Sequence, residues 1–187
     1  MNRALLAGLA TLGLVASSFS HAQAFNPFGY AGVSGGQSKF RTDCAATNVF
    51  SCDQRDTGWK VYTGARISEI FGAEIGYTDF GTINANGGDT KAWAVPITLT
   101  AGIPLGDRFA IFAKGGGLFG RTDIDASPAT LVDTGHKNGW GWTYGAGASM
   151  KVAQHWDIRV DWDRYQLDFV GGSKDVDMAT AGVQFRF

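Results

Sequence analysis

Apolar and polar side chains alternate with a period of two in one stretch of this chain after another. From Trp59 the odd positions read Trp59, Val61, Thr63, Ala65 and Ile67, and the even ones Lys60, Tyr62, Gly64 and Arg66. Trp93, Val95, Ile97, Leu99, Ala101 and Ile103 alternate in the same way with Ala92, Ala94, Pro96, Thr98, Thr100 and Gly102. Phe109, Ile111 and Ala113 are set against Lys114 and the small Ala110, Gly116 and Gly120. Successive side chains of a strand point to opposite faces, so this period predicts strands with one apolar face. Eight are expected, over residues 28–40, 57–67, 71–80, 91–103, 108–123, 140–152, 156–167 and 175–187.

The connections between them alternate in length. Residues 41–56, 81–90 and 124–139 are long, 68–70, 104–107 and 153–155 are short, and 168–174 is intermediate. Long loops on one side and short turns on the other are the mark of an outer-membrane barrel. The aromatic residues of the apolar faces fall at strand ends, with Trp59, Trp93, Trp140 and Trp142 towards the long loops and Phe109, Trp156 and Phe187 towards the short turns. That placement predicts two interfacial belts, whereas a soluble sandwich gathers its large aromatics in a shared core. In hydrocarbon every backbone N–H and C=O must find a partner, and a closed sheet leaves no open edge. The expected fold is therefore all-β, an eight-stranded antiparallel up-and-down transmembrane β-barrel over residues 25–187. Pro96 lacks a ladder donor, so a bulge or local break is expected in the fourth strand.

Composition sharpens this only in part. The 27 Gly, the 13% aromatic residues and the 4 Pro favour many short strands over helices. A content of 44% hydrophobic and 18% charged residues would suit a water-soluble domain equally well, so the membrane is hidden in the totals. A formal net charge of −1 implies no nucleic-acid partner. Residues 1–24 stand apart: Arg3 makes a basic start, Ala4 to Ala16 is apolar, and Ala22-Gln23-Ala24 supplies a cleavage site. They read as a secretory signal peptide, too short in its apolar run for a spanning helix of about 20 residues. Export to an oxidising compartment makes a local disulfide between Cys44 and Cys52 the expectation, ahead of a zinc site that would need further ligands.

Other chemistry is weighed and set aside. Gly115, Gly117 and Gly120 match G-x-G-x-x-G, but strand alternation runs through them where a dinucleotide motif would open a helix. Asp123, Asp125 and Asp133 lack the regular spacing of a calcium loop. His136 and His155 have no Ser in a nucleophile context nearby, so no catalytic set, cofactor or metal site is expected.

Four segments, Tyr30 to Phe40, Gly72 to Gly81, Pro104 to Asp123 and Ala179 to Phe187, give the chain its family likeness. In their order and spacing it resembles the transmembrane domain of the OmpA-like small outer-membrane β-barrel family. The resemblance implies an up-and-down meander, a C-terminal aromatic, Phe187, read by the outer-membrane assembly machinery, and an interior charge cluster at Glu74, Lys114, Arg159 and Asp161. Parity agrees independently, since Ala73, Ile75, Ala113, Ile158, Val160 and Trp162 take the opposite face. An eight-stranded barrel is only wide enough for side chains to fill it, so the charges are expected to form a paired structural core. The expected function is a non-enzymatic, monomeric structural barrel of the bacterial outer membrane. It would contact membrane lipid and lipopolysaccharide, support the envelope and offer its loops to a host or phage surface ligand. A low-conductance gated pore is the alternative, resting on the interior charges, and a lipid A-modifying enzyme is a more distant one.

Overall fold

The structure, a computed structural model, describes residues 27–40, 55–85, 88–126, 135–169 and 172–187. Its elements are β1 (Phe28–Phe40), β2 (Arg55–Arg66), β3 (Phe71–Ala85), β4 (Gly88–Leu105), β5 (Phe109–Ala126), β6 (Gly135–Lys151), β7 (Trp156–Phe169) and β8 (Gly172–Arg186). They lie in sequence order in one closed barrel, each strand antiparallel to the next and β8 antiparallel to β1. The seam is complete at its end: Gly29 N–H donates to the Phe187 carbonyl at 3.0 Å, and Phe187 N–H donates back to the Gly29 carbonyl at 2.9 Å. The expected all-β barrel is thus the observed fold. Three connections (67–70, 106–108 and 152–155) and both ends of the barrel sequence share one rim. The expected signal peptide, residues 1–24, lies outside the described residues.

Several strands are longer than the alternation predicted. β3 and β4 continue through Ile83 opposite Thr90 and Asn84 opposite Asp89, so the long connection expected over 81–90 reduces to 86–87. β7 and β8 likewise leave only 170–171, and β5 and β6 leave 127–134. The reason is physical: above the aromatic belt the hairpins continue by strand pairing, where no alternation of apolar and polar positions in the sequence announces them. The irregularity expected at Pro96 is present in the β3–β4 ladder. Pairing reaches Ile75 opposite Ile97 and resumes at Thr78 opposite Ala94 in unchanged register. The true register shift comes later, between Asp79 and Thr82, where Gly81 takes φ 82°, a left-handed conformation that suits glycine.

The barrel is turned inside out relative to a soluble domain. Leu99 is 71% exposed and Trp140 76%, whereas Phe80 and Met178, on inward positions, are fully buried. Outward rings form two girdles. Trp59, Tyr77, Trp93, Phe119 and Trp140, one from each of β2 to β6, follow one another with centroids 5.6, 5.8, 6.4 and 5.6 Å apart. At the short-turn rim Trp156, Phe185 and Phe187 pack at 5.1 and 6.4 Å. Amphipathic and aromatic rings at both ends of an apolar band match the two interfaces of a bilayer. Inside, Tyr30 pairs with Gly64 and Tyr62 with Gly32, and each ring covers its glycine where a Cβ would collide with it. Gly115 and Gly117 belong to uninterrupted β5, and Gly120 lies under Leu167, so the G-x-G-x-x-G run is strand.

Candidate functional site: the filled interior

Strand parity decides which charges enter the lumen. Even positions of β2, β3 and β5 and odd positions of β7 face inward, which carries Lys60, Glu74, Lys114, Arg159, Asp161 and Asp163 into one belt. Arg159 is its hub. Its Nη1 donates to Glu74 Oε2 at 2.7 Å and to Gln184 Oε1 at 3.2 Å, and its Nη2 donates to Asp161 Oδ1 at 2.9 Å. The guanidinium lies between the rings of Tyr62 and Phe112, each centroid 4.4 Å away. Lys114 reaches Asp163 at 3.0 Å, Asp161 at 3.3 Å and Glu74 at 3.6 Å. Lys60 reaches Asp163 at 2.7 Å and Asp161 at 3.3 Å. Tyr30 and Tyr165 donate to Glu74 and Asp163 at 3.3 and 3.4 Å.

Three cations meet three carboxylates, so the buried belt is neutral, and each charge offsets the desolvation of another. The four charges expected inside, Glu74, Lys114, Arg159 and Asp161, are brought together. Lys60 and Asp163 were missed, although the same parity rule marks both: Lys60 stands on the polar face of the Trp59 alternation, and Asp163 follows Asp161 by two.

The lumen is layered above and below this belt. Towards the long loops Phe80, Leu118, Tyr165, Leu167, Val176 and Met178, none more than 2% exposed, pack with Ala92 and Ala94 into an apolar plug. Phe80 meets Tyr165 edge-on at 4.8 Å. Between plug and belt lies a void of about 10 Å³, bordered by Lys60, Glu74, Pro96 and Lys114, barely room for one water. Towards the short turns the lumen opens into a cup of about 240 Å³ whose floor includes Tyr30 and Arg159. From belt to rim runs a polar chain: Gln184 Nε2 donates to Asp157 Oδ2 at 3.3 Å, and Arg186 Nε lies 2.9 Å from the same oxygen.

The remaining expected residues fall elsewhere. Phe187 sits outward in the short-turn girdle, as parity required. Cys44, Cys52 and Asp133, and the side chains of Asp123, Asp125 and His136, lie outside the described residues. His155, in the 152–155 turn, stacks on Phe185 at 5.9 Å. Among the described residues no group of three or more His, Cys, Asp or Glu is placed to hold a metal ion.

Residues 24–187 match the family model described as the OmpA-like transmembrane domain. The chain is 22% identical over 167 residues to outer membrane protein A of Salmonella typhi, covering 84% of this chain. It spans about half the length, 48%, of that relative. Among solved structures it is similar in fold to the Neisserial surface protein A, with TM-score 0.67 and 14% identity over 87% of this chain and all of that one. It is similar also to Ail, the attachment invasion locus protein of Yersinia pestis, with TM-score 0.61, 14% identity and the same coverage; Ail has in addition been solved with the heparin analogue sucrose octasulfate.

Proposed function

Because the chain belongs to the OmpA-like transmembrane domain family, and so to the bacterial outer membrane, we propose that it is a non-enzymatic structural barrel that supports envelope integrity and presents its loops for adhesion or recognition. The observation that carries this reading is the filled lumen. A neutral belt of six paired charges lies beneath a plug of buried Phe80, Leu118, Leu167 and Met178. A path for ions would need water-lined polar surface through the whole barrel, and the plug interrupts it. The charges thus serve packing. With the short turns in the periplasm, the strand ends that border residues 41–54 and 127–134 open to the cell exterior, where a ligand is met. The attachment role in the name of Ail favours an adhesive use of those segments here.

On this reading the partners are outer-leaflet lipopolysaccharide along the long-loop girdle, membrane lipid along the short-turn girdle, the assembly machinery at Phe187, and a host or phage surface ligand at the loops. The protein works as a monomer with Cys44 bonded to Cys52. Deleting residues 127–134 separates the two halves of the proposal: detergent sensitivity of the cells should stay at wild type while surface adhesion falls. An envelope defect equal to that of the full deletion, with adhesion unchanged, would refute the assignment of loops to recognition. In planar bilayers the monomer should pass no ohmic current. A steady current abolished by Glu74→Gln or Arg159→Met would replace this reading with the channel. Release of acyl chains from purified lipopolysaccharide would replace it with the enzyme.

A further inference from the structure

We propose that the periplasmic mouth of the barrel is a binding cup for a small phosphate monoester, with Arg66 and Lys151 holding the oxyanion. The proposal concerns the rim opposite the surface loops and does not depend on their role. The cup is a cavity of about 240 Å³ formed where β1, β2, β4, β5, β6, β7 and β8 meet the short-turn rim. At ~30 Å³ per liquid water it holds roughly eight waters, room for a solute of the size of glycerol 3-phosphate.

Its charge is unlike the rest of the interior. The belt balances three cations with three carboxylates, but the cup above its floor is lined by Arg66, Arg108, Lys151 and Arg186 against only Asp107 and Asp157. Asp157 is already engaged by Arg186 at 2.9 Å and by Gln184 at 3.3 Å. Arg66 has no carboxylate partner among the described residues. Its Nη2 donates to two backbone carbonyls, of Glu69 and, at 3.3 Å, of Gly102. The Glu69 side chain is not part of the lining. Lys151 and Arg108 form no ion pair among the described residues either.

An excess of two positive charges inside a concave wall focuses field into the cavity and raises the local concentration of anions. A phosphate monoester, carrying about −1.5 to −2 near neutral pH, matches that excess better than a singly charged carboxylate or phosphodiester. A guanidinium fixed by carbonyls on one edge still offers N–H groups to an oxyanion. Thr100 and Ser149 line the same cavity with hydroxyls, and Phe112 gives it a flat apolar wall for the rest of the solute.

Two sources carry a phosphate monoester, a soluble periplasmic phosphoester and the headgroup of phosphatidic acid in the inner leaflet. The test is calorimetric titration of glycerol 3-phosphate into the full chain held in phosphatidylcholine nanodiscs, with glycerol as the uncharged control. The expected result is saturable one-site binding, weakened by added salt, absent for glycerol, and about tenfold or more weaker in both Arg66→Gln and Lys151→Gln. Lys151 is exposed at the rim, so its variant keeps the test valid where Arg66→Gln fails to fold. No saturable binding, equal binding of glycerol, or unchanged affinity in Lys151→Gln would overturn the proposal. Repeating the titration in nanodiscs containing phosphatidic acid, with phosphatidylglycerol as the anionic phosphodiester control, assigns the source. Equal constants in the two anionic lipids support the soluble ester, and a weaker one in phosphatidic acid supports occupancy of the same cup by that headgroup.

Discussion

Replacing Arg159 with Ala is the sharpest perturbation of this barrel, because it removes the side chain that hydrogen-bonds Glu74, Asp161 and Gln184 at once. Arg159 contacts Glu74 at 2.7 Å and Asp161 at 2.9 Å with 3% of its side chain exposed. Without it, three buried carboxylates face two lysines, and Glu74 keeps only Lys114 at 3.6 Å and the Tyr30 hydroxyl at 3.3 Å. Removing one partner of a buried pair typically costs about 3–5 kcal/mol, because the other charge stays desolvated. Loss of the stack between Tyr62 and Phe112 adds to this. Glu69→Ala is the control: the residue is exposed in the 67–70 turn, and a surface change of this kind stays within about 0.5 kcal/mol. Urea unfolding in lipid vesicles, followed by heat-modifiable gel mobility and tryptophan fluorescence, measures both. Adding Glu74→Gln to Arg159→Ala restores neutrality, so the double variant should recover part of the loss, an interaction of about 0.5–3 kcal/mol in the cycle. If Arg159→Ala is no more costly than Glu69→Ala, or if Glu74→Gln deepens the loss, the belt is not held together by charge balance.

Three further outcomes are expected. Leu99→Lys, at mid-height on the outer face, should cost about 2–4 kcal/mol in vesicles, whereas Gln37→Lys near the long-loop end of β1 should cost about 0–1; equal costs would place the hydrocarbon elsewhere on the barrel. Gly182→Val drives a side chain into the Val33 carbonyl and Ser34 across the β1–β8 seam, so the folded, heat-modifiable band should weaken by the equivalent of about 1–3 kcal/mol; full stability would show that the seam can spread. Phe187→Ala removes a ring stacked on Phe185 at 6.4 Å and should cost about 1 kcal/mol in vesicles. Its loss of folded protein in cells should be much larger if the assembly machinery reads that ring, and equal if it serves only the girdle.

Most of the architecture was legible because lipid imposes a rule that sequence obeys residue by residue. Ile97 and Leu99 must face outward, Thr98 and Thr100 inward, and a period of two follows. Glu74, Lys114, Arg159 and Asp161 were legible by the same parity. What escaped was whatever carries no contrast between faces. The plug residues Phe80, Leu118 and Met178 are apolar on inward positions, so they look like lapses in the alternation until the strands close and bring them together. The extensions of β3 and β4 beyond the belt, through Thr82, Ile83 and Asn84, continue the backbone pairing with no run of alternating residues to announce it. The cup escaped for another reason: Arg66, Lys151 and Arg186 are far apart in the chain, and only the common rim of the short turns gathers them.

The reciprocal bonds between Gly29 and Phe187 give the barrel a topological freedom. Every other neighbouring pair of strands is a hairpin closed over a local connection; the β1–β8 seam alone joins the strand that is first in chain order to the last, and it does so at the rim where both ends of the barrel sequence emerge. The sheet itself therefore has no first strand. A linker of a few residues from Phe187 to Phe28 would turn the seam into one more hairpin. The chain could then begin anywhere within 41–54 or 127–134 and still trace the same cylinder. Where the polypeptide starts is a matter of export and of the order in which strands are delivered; the closed ring of hydrogen bonds is indifferent to it.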